Sequence, residues 1–413
     1  MCKNKFSFSM WIKYLEKLKK KNQINLIDIK HIARKLNLLN LKSFFFTVGG
    51  TNGKGTTCAM LEKLLLDSGY QVGLYTSPHL LNFVERVKIN GLYVTEMQYV
   101  FAFLNIHSAK LNYSLSYFEF ITLAALFLFK QYSLDIIILE VGLGGRLDAT
   151  NIIDSDLSVI TNIGIDHTSI LGVNRFNIAR EKAGIFRKNK ISVIGEKDIP
   201  DSIYQEAKTT KTILKIINKD WYWEKYNNTW NLIHSKIALY NLPIPKIPLP
   251  NAAIALSALF YSDLDINKKK LRHAIAKIQL PGRFQTISCF PHIIVDVAHN
   301  AHAALYLSKK IDQMDIQGNI YAIFGVLKDK DISSIVAPLR NKISYWYTST
   351  LSVDRSASLD QLKSNLPIQK TFFFNSISNA WNNLKKILNK KDIVLVFGSF
   401  ITVSEFISIK QKK

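Results

Sequence analysis

The sequence predicts an α/β fold in two successive parts, each built on a mostly parallel sheet. Three observations predict it. Short apolar runs alternate with helix-length patterns between residues 44 and 195. A second alternation runs from 292 to 397. Between them "LPGRF" at 280–284 breaks the pattern with Pro281 and Gly282. Strands that alternate with helices form parallel sheets with helices on both faces. The break places a boundary near 285, giving a larger domain over 1–285 and a smaller one over 286–413.

In the first part the strands expected are 44–48, 72–76, 135–141, 157–163 and 191–195, and the helices 56–68, 96–110, 118–131 and 175–186. "VKINGLYVT" (87–95) reads as a hairpin turning at Asn90 and Gly91. "WYWEKYNNTWNLIH" (221–234) reads as antiparallel strands, and "NLPIPKIPLP" (241–250) as an extended proline-rich connection. A helix pair follows at 251–262 and 267–278. The second part then offers strands at 292–297, 320–325, 344–349, 371–374 and 392–397. No repeat of solenoid period is evident.

Composition narrows the function classes. The chain has 413 residues, 48% of them hydrophobic, enough to fill two cores. Its net charge of +23 is dispersed, with no arginine-rich block and no basic–aromatic interleaving. A solvated lysine coat is expected, with no nucleic-acid partner. The N-terminal "MCKNKFSFSMWIKYLEKLKKK" has no apolar run of signal-peptide length. The apolar stretch 120–129 contains Thr122 and ends before Lys130, so it reads as a buried helix and no membrane partner is expected. Cys2, Cys58 and Cys289 lie far apart. A cytoplasmic location without disulfides follows.

The chemistry begins at "FFFTVGGTNGKGTTCAML" (44–61). An apolar strand, a glycine-rich turn and a helix make a phosphate cradle: glycines let backbone N–H groups converge, and the helix N-terminus adds its dipole. The common P-loop pattern nevertheless fails. Val48 stands where its first Gly belongs, and Gly55 where Ser or Thr should follow the lysine. Lys54 is placed to reach the outer phosphates, and Thr56 or Thr57 to present a hydroxyl to a metal. The fold class is therefore a P-loop nucleotide-binding domain followed by a smaller Rossmann-like α/β domain.

Parallel strands deliver their carboxyl ends to the ligand crevice. Three such ends present Ser77 ("YTSPHL"), Glu140 ("DIIILEVGLGGRLDATN") and His167 ("VITNIGIDHTSILG"). Hard oxygens with one imidazole suit Mg²⁺ supported by phosphates. "GLGGR" is not a dinucleotide fingerprint, because Leu147 occupies the third glycine's place and "RLDATNIID" is a poor helix start. Lys182 in "REKAGIFR" reads, on residues alone, as a helical surface lysine. Asp296, His299 and Asn300 cluster in "IIVDVAHNAHA"; the His299 and His302 spacing is zinc-like, but no further ligand set accompanies it.

These motifs together resemble the bacterial folylpolyglutamate synthase/dihydrofolate synthase family, relatives of the Mur ligases. "GTNGKGTT" (50–57), "SPHL" (77–80), "YFEF" (117–120), "LEVGLGGRLDATN" (139–151), "DHT" (166–168), "REKAGIFR" (180–187), "LPGRFQ" (280–285) and "DVAHNAHA" (296–303) occur in order over nearly the whole chain. The resemblance implies a shorter P-loop and an ATP-dependent amide ligation: L-glutamate joins dihydropteroate or reduced folates through an acyl phosphate. It implies ATP contacts from Thr51, Asn52, Gly53, Lys54, Gly55, Thr56, Asn251, Arg283 and Asp296, with ATP bridging the domains. Ser77, Glu140 and His167 would bind Mg²⁺. Ser116, Tyr117, Phe118 and Glu119, with Leu147, Asp148 and Ala149, would line the pterin site, and Lys182 would be carbamylated. Lys54, Glu140, His167 and Lys182 are the implied catalytic set, in a monomer. The chain departs from the family pattern at "INLIDIK" (24–30), at Ile401 and before Arg355. Polyglutamylation alone, or a P-loop NTPase without an acceptor, are the alternatives.

Overall fold

The computed structural model describes residues 6–18 and 26–411. Cys2 and the first two residues of the divergent stretch 24–30 lie outside the described residues. The chain divides into two compact units, Met1–Gln279 and Leu280–Lys413.

In the first unit, strands β1 (Phe44–Gly49), β2 (Val72–Tyr75), β3 (Val87–Ile89), β4 (Leu92–Tyr93), β5 (Ile136–Glu140), β6 (Leu157–Ile160), β7 (Ile191–Ile194) and β8 (Ile213–Ile216) form one sheet in the order β4-β3-β2-β5-β1-β6-β7-β8. From β2 to β8 neighbouring strands run parallel; β3 and β4 are the antiparallel hairpin at one edge. Strand β1 is central, with Val48 opposite Glu140 of β5 and Gly49 opposite Ile160 of β6. The chain leaves β1 for β2 on one side of it, while β6 flanks it on the other. That is a topological switch point, where an open α/β sheet leaves a crevice beyond the strands' carboxyl ends.

Continuous apolar runs suit strands covered on both faces. Val48 and Phe46 are wholly buried, as are Ile138 and Leu139. Helix Tyr117–Lys130 is buried from Glu119 through Phe129, because it is apolar all round and packs into the core beside Trp11, Ile32 and Phe103. Among the described residues no helix is long and apolar enough to cross a membrane.

Strands β9 (Trp221–Tyr226), β10 (Thr229–His234) and β11 (Ile237–Pro243) form a separate antiparallel sheet. The proline-rich connection is shorter than expected, because Leu242 and Pro243 still pair with Trp230 and Thr229. Helices Leu249–Tyr261 and Lys268–Lys277 close the unit.

The second unit holds β12 (Gln285–Cys289), β13 (His292–Val295), β14 (Ile320–Phe324), β15 (Tyr345–Ser349), β16 (Thr371–Phe374) and β17 (Ile393–Phe397) in the order β12-β13-β17-β14-β15-β16. All pairs are parallel except β12 with β13. Ile294, Phe324, Trp346 and Phe397 anchor its core.

The differences from the sequence reading lie at edges and ends. Strands β8 and β12 were not expected; both are sheet edges, only partly buried, and so lack a continuous apolar run. Helices Phe8–Glu16, Ile27–Lys35 and Asp201–Thr210 were also missed. Strand β6 stops at Ile160, short of the expected 163, because the residues after it bond to the loop that follows β1.

Candidate active site

Strand β1 ends at Gly49, and helix Lys54–Asp67 starts two residues earlier than expected. Gly53 caps that helix in the left-handed region, at φ 81°. A Cβ there would also lie 2.4 Å from Oδ1 of Asn251, so the side chain of Asn251 rests directly on the loop. The segment after β6 holds the loop from the other side. Thr51 N–H donates to the carbonyl of Asn162 (2.9 Å), and Asn52 N–H to its Oδ1 (3.0 Å). The Asn52 carbonyl accepts from Thr161 Oγ1 (2.6 Å) and Asn162 Nδ2 (2.9 Å). Sequence reading missed Thr161 and Asn162; their signal was a polar pair just past an apolar strand. The Lys54 ammonium curls over its own loop, donating to the carbonyls of Gly50 (3.1 Å) and Thr51 (3.2 Å).

Glu140 closes β5 beside this loop. Its Oε2 accepts the Ser77 N–H at 2.9 Å. A Cβ on Gly55 would lie 3.2 Å from Oε2 and 3.4 Å from Oε1. The carboxylate thus takes the space that the common pattern gives to a Ser or Thr, and the hydroxyl moves one residue on. Thr56 and Thr57 are both buried, and neither hydroxyl has a hydrogen-bond partner among the described residues. Buried hydroxyls are normally satisfied. Two orphaned hydroxyls at the start of a helix whose second residue touches the Glu140 carboxylate are, with that carboxylate and Ser77, a hard-oxygen set that fits Mg²⁺. Among the described residues no group of three or more His, Cys, Asp and Glu is placed to hold a metal, and phosphate oxygens would complete such a set. His167 caps the short helix Thr168–Leu171 at φ 52°. Its N–H donates to Asp166 Oδ1 at 2.8 Å, and its ring is more than a third exposed.

Lys182 is not the surface lysine its local sequence suggests. It ends helix Arg175–Lys182 and is 3% exposed. Burial, reinforced by the Lys54 charge and opposed by Asp166, pulls its ammonium down to about 7. The two flanking motifs lock together there. Arg146 N–H donates to the Glu181 carbonyl (2.8 Å), and Asn151 Nδ2 to the carbonyls of Arg146 (2.9 Å) and Gly184 (3.0 Å). Arg187 donates to Asn151 Oδ1 (2.8 Å). A Cβ on Gly145 would lie 2.8 Å from the Lys182 carbonyl. Gly145 of "GLGGR" therefore serves backbone-on-backbone packing that seats Lys182.

On the far side of β5, Ser116 and Glu119 form a capping box at the start of helix Tyr117–Lys130, with Ser116 N–H donating to Glu119 Oε2 at 2.7 Å. The Phe118 ring covers Gly142, where a Cβ would meet it at 2.4 Å, and lies 6.0 Å from Tyr75. The Tyr117 ring is 5.8 Å from the guanidinium of Arg86. Leu147 is exposed, whereas Asp148 and Ala149 are buried. Asp148 turns into its own loop, accepting from Leu143 N–H (2.9 Å) and from Thr150 N–H (3.0 Å) and Oγ1 (2.7 Å). Burial raises its carboxyl, and those bonds oppose the rise.

In the second unit, Asp296 follows β13 and accepts the N–H groups of Phe284 and Ala298, both at 2.8 Å. Burial raises its carboxyl against the pull of Arg283. The Arg283 guanidinium lies 5.0 Å from the Phe400 ring, and His299 6.2 Å from the same ring. Asn300 caps helix Ala301–Ile311.

The Mur ligase middle domain matches residues 48–286, and the Mur ligase glutamate ligase domain residues 282–400. A dihydrofolate synthase/folylpolyglutamate synthase of Buchnera aphidicola subsp. Schizaphis graminum is 66% identical over 100% of this chain and 99% of its own. Escherichia coli FolC in complex with DHPP and ADP superposes with a TM-score of 0.95 at 42% identity, covering 98% of each chain. A bifunctional folylpolyglutamate synthase/dihydrofolate synthase with Mn, AMPPNP and L-glutamate bound does so at 0.94 and 43%, again over 98% of each. With two family domains in succession along the sequence and likeness over its whole length, the chain belongs to the dihydrofolate synthase/folylpolyglutamate synthase family of Mur ligases.

Proposed function

We propose that the chain joins L-glutamate to dihydropteroate, giving dihydrofolate, and to reduced folates, giving folylpolyglutamates. The observation that carries this reading is the pairing of Glu140 with a phosphate loop whose threonine hydroxyls are buried and unpartnered. Relatives solved with ADP and DHPP, and with Mn, AMPPNP and L-glutamate, support the same substrates here.

A free carboxylate is a poor acyl electrophile. In the first step an oxygen of the acceptor carboxylate attacks the γ-phosphorus of ATP; the bond to the bridging oxygen breaks, and ADP leaves. In the second, the amine of glutamate attacks the acyl carbon, inorganic phosphate departs with the electron pair, and the nitrogen loses a proton. A divalent cation would neutralise phosphate charge as it develops. The loop residues Thr51, Asn52, Gly53, Lys54, Gly55 and Thr56 hold the phosphates. Lys54 faces the charge that builds on them, exchanging its two carbonyl partners for phosphate oxygens. Ser77, Glu140 and His167 would hold the cation, and Lys182 as its carbamate would join them. Asn251, Arg283 and Asp296 bind the rest of ATP. Tyr117, Phe118 and Leu147 face the pterin, while Ser116, Glu119, Asp148 and Ala149 shape its loops.

A monomer is what the family resemblance implies, and a cytoplasmic location suits the free thiol of Cys58. The deciding experiment is phosphate release with each acceptor supplied separately. Release that requires both glutamate and either acceptor supports the bifunctional ligase. Release with reduced folate alone leaves only polyglutamylation, and release without an acceptor would make the protein an NTPase.

A further inference from the structure

Arg86 is 7% exposed, and among the described residues no carboxylate lies within ion-pairing distance of it. A buried guanidinium without an anion is costly. Its surroundings offset part of that cost. The rings of Phe83 and Tyr117 lie 5.4 and 5.8 Å from it. Its Nε–H donates to Nδ1 of His79 at 3.0 Å. The backbone closes the same loop, with Thr76 N–H donating to the Arg86 carbonyl at 2.9 Å.

The bond to His79 has a chemical consequence. Arginine is only a donor, so Nδ1 must be the accepting nitrogen and the neutral ring carries its hydrogen on Nε2. That Nε2–H has no hydrogen-bond partner among the described residues, and His79 is half-buried. It sits two residues past Ser77, and through Arg86 it shares a wall with Tyr117.

We propose that Arg86 is a positioning residue that fixes His79 as an Nε2–H donor and sets Tyr117 beside it, so that His79 hydrogen-bonds the pteroyl acceptor. The inference rests on the functional reading above, which places Tyr117 against that acceptor. The acceptor offers ring nitrogens and carbonyl oxygens that a fixed N–H donor recognises. Such a donor contributes to acceptor binding and nothing to ATP binding.

The test compares His79→Phe, His79→Gln and Arg86→Met with the wild type. Dihydropteroate binding is followed by fluorescence, KM values are measured for dihydropteroate and for ATP, and nitrogen NMR reads the His79 tautomer. Loss of one hydrogen bond predicts about a tenfold rise in the acceptor KM for His79→Phe and Arg86→Met, with the ATP KM within about twofold. His79→Gln, whose amide places an N–H near Nε2, keeps the acceptor KM within about threefold of wild type. Arg86→Met also releases the tautomer preference. An unchanged acceptor KM in His79→Phe, equal rises for both substrates, or a hydrogen on Nδ1 in the wild type overturns the proposal. Should Arg86→Met not fold, the two His79 variants decide it. A wild type that binds no dihydropteroate overturns the functional reading as well; a wild type that ligates while His79→Phe binds equally overturns this inference alone.

Discussion

The carboxylate of Glu140 occupies the space that a side chain at Gly55 would need, with Oε2 3.2 Å from the position of a Cβ there. This relationship accounts for the missing hydroxyl after Lys54. Gly55→Ser, which restores the common P-loop pattern, should therefore impair the enzyme. The carboxylate, held by the Ser77 N–H, has to give by a few tenths of an ångström. The expected outcome is a higher magnesium requirement with a loss of stability of about 1 kcal/mol, the low end of what overpacking costs, since the neighbour is a side-chain end. A magnesium titration of turnover beside a thermal melt checks it; unchanged magnesium dependence would show that Glu140 moves freely.

Glu140→Gln removes the charge and keeps the shape. The amide oxygen still accepts the Ser77 N–H, so the loop should stay in place. What is lost is an anionic oxygen ligand. Turnover with both acceptors should fall, and raising magnesium should recover part of it. A variant with wild-type magnesium response would reduce Glu140 to a residue that merely ties down Ser77.

Lys54→Ala deletes the ammonium now bonded to Gly50 and Thr51. Those carbonyls belong to a loop that Thr161 and Asn162 also hold, so folding should survive. Losing one preorganised electrostatic contact costs roughly 2.7–4 kcal/mol in the transition state, or about 10²–10³ in kcat. Circular dichroism and single-turnover phosphate transfer check both halves of the statement. A folded variant with near-normal transfer would remove the loop from the chemistry.

Much of this site was legible in the sequence because its residues follow strand ends. Glu140 closes an apolar run, and Ser77 follows another, so topology alone places both at the crevice. Lys182 was not legible from its neighbours: "REKAGIFR" is polar on most sides, and burial comes from a distant loop packing on it through Gly145. Only the resemblance marked it. Thr161, Asn162 and Arg86 escaped for a similar reason. Their partners are 109, 110 and 7 residues away in the chain, and for the first two no local period reports such a bond. The edge strands β8 and β12 were missed because a half-buried edge has no continuous apolar run to announce it.

The packing between the two motifs gives a stability prediction. A Cβ on Gly184 would lie 2.3 Å from the Cα of Arg146, a backbone atom that cannot rotate away. Gly184→Ala should cost about 1–3 kcal/mol, as overpacking does, and should loosen the loop that seats Lys182. Chemical denaturation gives the first quantity. A stable Gly184→Ala with full activity would mean that the two motifs touch without depending on each other.

Only a neutral amine adds CO₂: its lone pair attacks the carbon, a proton leaves the nitrogen, and a carbamate anion results. An ordinary lysine is neutral in about one molecule in a thousand near pH 7.5. Burial and the Lys54 charge bring Lys182 down to about 7, so a large share is neutral at that pH. Between about 7 and the unfolded value of 10.5 the folded chain binds fewer protons than the unfolded one, so Lys182 adds stability as pH rises through that window. Below about 7 both forms are protonated, and its burial penalty is fully present. Carbamylation should fall over the same low-pH side, and activity with it. Lys182→Ala should lose most turnover, partly restored by a small carboxylic acid in solution. Lys182→Arg should stay inactive despite its charge, because guanidinium forms no carbamate. Carbon NMR with labelled bicarbonate reads the adduct directly in the wild type. An unlabelled, fully active enzyme, or an active Lys182→Arg, would show that Lys182 works as a cation.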